Sequence, residues 1–255
     1  MNTIIFGYGK MGRAIESELL SSAMRPTYIV NSAKDIKQND LADLELDKKT
    51  VAFDFTGSAN YEQNIEYLAK IGCNIVSGTT GVTDIQHKLQ SISKQYNCSI
   101  LYSSNFAIAV QIFWRLSSQL SRMISPFDDY DIAVHEVHHN QKHDAPSGTA
   151  ISTAEIILNN IARKKEIAHA TNGKIDKAQL QISALRVGST IGEHSVICDG
   201  PDDSIKITHN AKNRKIYARG AIACAKWLME QRTGFFTMDD YIDDACEQNL
   251  LTLIQ

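Results

Sequence analysis

Residues 3–12 read Thr3-Ile4-Ile5-Phe6-Gly7-Tyr8-Gly9-Lys10-Met11-Gly12, an apolar run that ends in a glycine-spaced loop. Ala14, Ile15, Leu19 and Leu20 then recur at helical intervals. Strand, glycine turn and helix follow one another. In such a unit the first glycine permits a tight turn and the second lets a pyrophosphate approach the backbone. The third lets helix and strand pack closely, with the helix N-terminus facing the phosphates. The GxGxxG spacing of Gly7, Gly9 and Gly12 therefore predicts a dinucleotide-binding loop comprising Gly7, Tyr8, Gly9, Lys10, Met11 and Gly12.

Outward from this loop, the first hundred residues keep alternating. Strands are expected at residues 27–30, 51–55, 74–76 and 99–102, with helical periodicity at residues 61–71 and 84–96. That alternation builds an α/β, doubly wound parallel sheet of Rossmann type. At the end of the second strand, where an acidic residue would bond a ribose 2′-hydroxyl, the chain has Asn31, followed by Ser32 and Lys34. None of the three repels a 2′-phosphate and Lys34 can pair with one, so NADPH is expected to serve as well as NADH. Gly78, Thr79 and Thr80 follow the fourth strand, and Ser103, Ser104, Asn105 and Phe106 follow the fifth. Both turns are candidate cofactor contacts, because ligands of open α/β sheets bind beyond these strand ends.

Composition narrows the class. The 255 residues carry a net charge of −3 and are 43% hydrophobic and 22% charged, as expected of a globular protein without a general pull toward nucleic acid. Five widely spaced cysteines fit reduced thiols, and no signal peptide or membrane span is evident. A cytoplasmic enzyme is expected, with no nucleic-acid or membrane partner.

Residues 131–150 hold four of the eight histidines: His135, His138, His139 and His143. His135-Glu136-Val137-His138-His139 formally matches HExxH, but the alternating residues before it predict a strand. Residues four apart on a strand are separated by roughly 13 Å, too far to share a zinc ion, so no metal is expected. Beyond the histidines, Pro146-Ser147-Gly148-Thr149 leads into a helical pattern at Ala150, Ile151, Ala154, Ile157, Leu158 and Ile161. Ser147 is a good N-cap, leaving the Gly148 and Thr149 amides as donors at the positive helix end. With Lys142 nearby, this segment suits a small dicarboxylate.

The segment Glu136 to Ala150 contains ExHHxxKxDAPSGTA and resembles the active-site loop of the 4-hydroxy-tetrahydrodipicolinate reductase (dihydrodipicolinate reductase) family of lysine and diaminopimelate biosynthesis. The resemblance extends to Gly7 to Gly12, Asp54-Phe55-Thr56, Gly78 to Gly81, Ser104-Asn105-Phe106, Arg186-Val187-Gly188, Gly192-Glu193-His194 and Gly220-Ala221. Asn31 and Ser58 depart from the common pattern. The resemblance implies that His138 is the catalytic acid/base, Lys142 a proton donor and carboxylate partner, and His139 a substrate contact. Ser147, Gly148 and Thr149 would bind a substrate carboxylate. It implies a nucleotide domain of residues 1–107 and 217–255, and an α+β mixed-sheet domain of residues 108–216 for substrate binding and tetramerisation, with hinge closure. Strands at residues 179–186, 193–198 and 204–209 are expected to form a largely antiparallel sheet. The alternatives are a nucleotide-binding regulatory or scaffold protein without turnover and a sugar or homoserine dehydrogenase on a similar fold, and an assay with substrate and NADPH separates the reductase from both.

Overall fold

The computed structural model describes residues 2–31, 50–82, 84–169, 173–231 and 233–254. The chain divides into two compact units: Met1–Ile108 with Lys215–Gln255, and Ala109–Arg214.

The first unit is a parallel sheet of β1 (Asn2–Phe6), β2 (Tyr28–Val30), β3 (Thr50–Asp54), β4 (Asn74–Ser77), β5 (Ile100–Tyr102) and β11 (Phe235–Thr237), ordered β11-β5-β4-β3-β1-β2. Successive strand residues point to opposite faces, and both faces are apolar, so both need helical cover. On one face Ile5, Phe53, Val76 and Leu101 pack against α1 (Lys10–Ser21), α6 (Lys215–Leu228) and α7 (Met238–Ile254). On the other, Ile4, Phe6, Ala52, Ile75 and Ile100 pack against α2 (Tyr61–Lys70) and α3 (Gln86–Tyr96). The sheet is doubly wound, as the alternation requires. The chain leaves β1 for β2 on one side and returns to β3 on the other, which sets a topological switch point between β1 and β3.

The second unit is a five-stranded sheet, ordered β10-β9-β6-β8-β7. Its strands are β6 (Asp131–His138), β7 (Glu166–Ala168), β8 (Gln179–Arg186), β9 (Glu193–Asp199) and β10 (Ser204–Asn210). The expected antiparallel character holds for only half of it. β9 runs antiparallel to β6 and β10, whereas β8 runs parallel to β6 and β7. The parallel β6–β8 pair arises because the chain crosses over through α5 (Gly148–Asn160) instead of turning back in a hairpin. Ile132, Val134, Leu180, Ile182, Val196 and Cys198 face α4 (Ile108–Ile124) and α5. Among the described residues of this unit no helix covers the other face, where Val137 and the half-exposed Leu185 are neighbours.

Candidate active site

In the first unit the glycine loop has the geometry its spacing predicts. Gly7 takes φ of +99°, and its amide donates to the Val30 carbonyl at 2.9 Å. A Cβ there would lie 2.7 Å from the Phe55 carbonyl oxygen, and one on Gly12 would lie 2.3 Å from the Gly7 oxygen. Gly9 is different: nothing lies within 4 Å of where its Cβ would be. Two glycines thus pack the backbone and one leaves its approach open, at the N-cap of α1. A cavity of about 410 Å³ lies here, lined in part by Gly7, Tyr8, Gly9, Asn31, Thr56 and Asn64. It sits at the switch point, where β1, β2 and β3 end. Lys10 is exposed, while Met11 packs against the core under α1. Ser32 and Lys34 lie outside the described residues.

The other predicted cofactor turns are held by a buried carboxylate. Asp54, at the end of β3, accepts from Thr56 Oγ1 at 2.7 Å, Ser77 Oγ at 2.8 Å and Thr79 Oγ1 at 3.1 Å. Burial pushes its pKa up against these bonds. Thr79 therefore points inward, while Thr80 is exposed. Gly78 is held against Phe55, whose ring would be 2.1 Å from an added Cβ. Ser103 and Asn105 brace each other through Ser103 Oγ; Ser104 is exposed, and Phe106 is buried edge-on to Phe55 at 5.8 Å. Phe55, Thr56, Asn60 and Asn64 line the cavity without having been expected as cofactor contacts; Phe55 and Thr56 lie in the Asp54-Phe55-Thr56 stretch of the resemblance, and Asn60 and Asn64 have only the polar segment after a buried third strand as a signal.

In the second unit, β6 is a strand through His138, so the HExxH residues do not converge. Burial alternates along it, and Ile132, Val134, Glu136 and His138 share the inner face. His135 lies on the other face, with Nδ1 2.7 Å from Ser183 Oγ. A different trio does meet. Glu136 is fully buried, and its Oε2 lies 3.4 Å from His138 Nδ1 and 3.5 Å from His194 Nε2. Donor atoms of these three groups all lie within 4.8 Å of one another. Arg186 already pairs with Glu136 Oε1 at 2.8 Å, and the Ser147 amide donates to both oxygens at 3.1 and 3.2 Å. The carboxylate is thus compensated by protein groups.

Burial would raise the Glu136 carboxyl, but bonds from His194, Ser147 and Arg186 outweigh it and hold the group well below the usual carboxylate range. Burial dominates at His138, drawing its imidazole down to about 4 despite the Glu136 charge, with His194, Lys142 and Arg186 adding to the fall. At neutral pH this imidazole is uncharged. Its other nitrogen, Nε2, stands against Gly192, where a Cβ would be only 3.0 Å away.

Ser147 is the N-cap of α5, accepting from Ala150 N at 3.3 Å, and its hydroxyl also meets His194 Nε2 at 3.0 Å. Its side chain is committed inward. Gly148 and Thr149 form the first turn, whose amides have no intrahelical acceptor. Lys142 Nζ lies 2.7 Å from both Asp144 oxygens, and this pairing lowers the Asp144 pKa. His139 Nε2 accepts from Arg214 at 3.1 Å. Glu136, Arg186, His194 and Arg214 received no role from the sequence. Glu136 lay inside the histidine segment but has no catalytic signature of its own, and the other three come from distant strands and loops.

A parallel sheet with an open glycine loop at its switch point, in a chain that also carries a buried histidine frame beside a helix start, defines a Rossmann-type oxidoreductase. Two family models match: dihydrodipicolinate reductase, N-terminus, over residues 1–106, and dihydrodipicolinate reductase, C-terminus, over residues 109–242. The chain belongs to the dihydrodipicolinate reductase family. A 4-hydroxy-tetrahydrodipicolinate reductase from Christiangramia forsetii is 36% identical over 246 residues, covering 96% of this chain and 98% of the relative. One from Methanosarcina acetivorans is 35% identical over 212 residues, 81% of this chain and 80% of the relative. Among solved structures, the dipicolinate-bound dihydrodipicolinate reductase from Paenisporosarcina sp. TG-14 shares the fold, with a TM-score of 0.69 at 20% identity over 93% of this chain and 97% of that one. The amine dehydrogenase from Mycobacterium smegmatis matches with a TM-score of 0.56 at 10% identity, over 92% and 94%. A reductase family with a Rossmann-like domain uses a nicotinamide cofactor, and the open approach at Gly9 and the cavity beside it fit such a group.

Proposed function

We propose that the chain reduces 4-hydroxy-tetrahydrodipicolinate to tetrahydrodipicolinate in lysine and diaminopimelate biosynthesis, the activity for which its relatives are named. The observation that carries the residue assignment is the joining of His138 to the α5 start through Glu136 and Ser147. The Gly148 and Thr149 amides hold one substrate carboxylate at the positive helix end. Lys142 exchanges its exposed partner Asp144 for the other, a swap that costs little because exposed ion pairs are weak. His139 is a further substrate contact, kept in place by Arg214. A bound nicotinamide would supply a hydride from its C4 to the ring after the 4-hydroxyl group has left as water. His138 is neutral in the free protein, and a dianion against it favours the imidazolium, so the proton is taken up as substrate binds. It is then available to the reduced ring, with Lys142 offsetting developing charge.

Gly7, Tyr8, Gly9, Lys10 and Gly12 would hold the dinucleotide phosphates, with Asn31, Ser32 and Lys34 at the ribose. Gly78, Thr79, Thr80, Ser103, Ser104, Asn105 and Phe106 would shape the remaining cofactor contacts, Thr79 and Phe106 from within. Asn31 has no charge to repel a 2′-phosphate, so NADPH and NADH both serve. We further read the enzyme as a cytoplasmic homotetramer. Its five cysteines are free, as suits a reducing compartment, and the sheet face that bears Val137 and the half-exposed Leu185 offers a self-association surface. The deciding assay mixes the purified protein with freshly generated substrate and follows loss of reduced-nicotinamide absorbance. Oxidation of NADPH supports the assignment, and its absence leaves a binding protein. Michaelis constants for the two cofactors then test the Asn31 reading, which strong NADH selectivity would sink.

A further inference from the structure

Glu136 transfers no proton in the proposed chemistry, yet it touches His138, Ser147, Arg186 and His194 together. It sits on β6, Arg186 comes from β8, His194 from β9 and Ser147 from the start of α5. One oxygen accepts from Arg186 and the other faces His138 Nδ1 and His194 Nε2, while the Ser147 amide spans both. His138 Nδ1 is buried and has no formed hydrogen bond; its approach to Glu136, at 3.4 Å, is longer than a good bond. The nearest group for it is an acceptor, so the proton of the neutral ring belongs on Nδ1. That leaves the lone pair on Nε2, the nitrogen beside Gly192, where the missing side chain gives room.

We propose that Glu136 is a positioning residue for the reduction, fixing the His138 tautomer through Nδ1 while anchoring, through the Ser147 amide, the helix start that seats the substrate carboxylate. This rests on the proposed roles of His138 and of the α5 start. Acid and anion seat are thereby tied to a single carboxylate. A shift of α5 would move that carboxylate against the imidazole, so anion binding and proton placement change together. The uncrowded contact to His138 leaves slack that can tighten when substrate is bound, as catalytic hydrogen bonds do. The same device, a carboxylate behind a histidine, sets ring orientation in metal sites and nucleophile triads.

The test is Glu136→Gln, which keeps the size and one acceptor but presents an amide that can donate. Nitrogen NMR of the imidazoles, which needs no turnover, should show His138 as the Nδ1–H tautomer in the parent protein and largely as Nε2–H in the variant. Titration of pyridine-2,6-dicarboxylate should weaken several-fold in the variant, and NADPH affinity should stay the same. If the parent protein turns over substrate, the variant kcat should fall at least tenfold. Its His138 titration should also move to lower pH, since Lys142 and Arg186 would then act on the ring beside His194 without an opposing charge. An unchanged tautomer in a folded Glu136→Gln protein overturns the proposal. An inactive parent protein overturns the reaction but leaves the tautomer and dicarboxylate measurements valid. If Glu136→Gln does not fold, Arg186→Gln, which loosens the carboxylate from a partly exposed position, should mix the tautomers and weaken dicarboxylate binding. No change in either again overturns it.

Discussion

His138 is buried, uncharged at neutral pH and adjacent to a fixed carboxylate, and each property is measurable. His138→Gln should lower turnover by roughly 10²-fold or more, the usual scale for losing a general acid, with cofactor affinity intact. Near-normal turnover would remove His138 from that role. The same burial makes the residue a stability sensor. Its pKa is about 4 when folded and near 6.5 when unfolded, so between these values the unfolded chain binds a proton that the folded one does not. The stabilisation is present above about pH 6.5 and is lost as pH falls, by on the order of 3 kcal/mol at pH 4. The depressed Glu136 and the His209 imidazole, also lowered by burial, act in the same direction. Unfolding midpoints recorded from pH 7 to 4.5 should therefore drop less steeply in His138→Gln than in the parent protein. Parallel curves would show that the folded imidazole titrates normally. At Lys142 the expectation is kinetic: Lys142→Gln should raise the substrate Michaelis constant tenfold or more and leave that for NADPH unchanged.

Elements carry a different kind of constraint, because glycine positions join them. Gly12→Ala would drive a methyl into the Gly7 carbonyl, pushing α1 off β1 at a cost of about 1–3 kcal/mol and weakening cofactor binding as well. Gly9→Ala meets no protein atom, so its melting temperature should match the parent within about 2 °C while NADPH affinity drops. Equal destabilisation by both would mean that the open approach at Gly9 has another origin. These glycines also explain what the sequence made legible. A loop of six residues records a strand, a turn and a helix through local sterics, and the wide apolar strands beside it are covered on both faces. The three-residue strands β7 and β11 record nothing local, because their identity lies in their neighbours β8 and β5. Likewise β-branched content forecast strands at β8 to β10 but not that β8 pairs parallel. The histidine segment was legible because His138, Lys142, Gly148 and Thr149 share one stretch of chain. Arg186 and His194 join it only through the register that sets them beside His138 and Glu136.

At the scale of the whole molecule, β6 has two jobs that its pleat keeps apart. Glu136 and His138 face α5, while Val137 faces outward beside Leu185. If that outer face seats further copies of the chain, sedimentation should give a tetramer, and Leu185→Arg should yield smaller species; a monomeric parent protein would refute the assembly. A second consequence lies in how the units are threaded. Ala109–Arg214 is one uninterrupted stretch, whereas the first unit needs α6, β11 and α7 from beyond it. On the ribosome the second unit is therefore fully made first, and the open β5 edge of the nascent sheet waits roughly 7 to 27 s for β11 at usual elongation rates. Chaperone engagement during synthesis is then expected to concentrate on the early, unfinished half, and nascent chains arrested just before Lys215 should be cleaved by protease there while residues 109–214 resist.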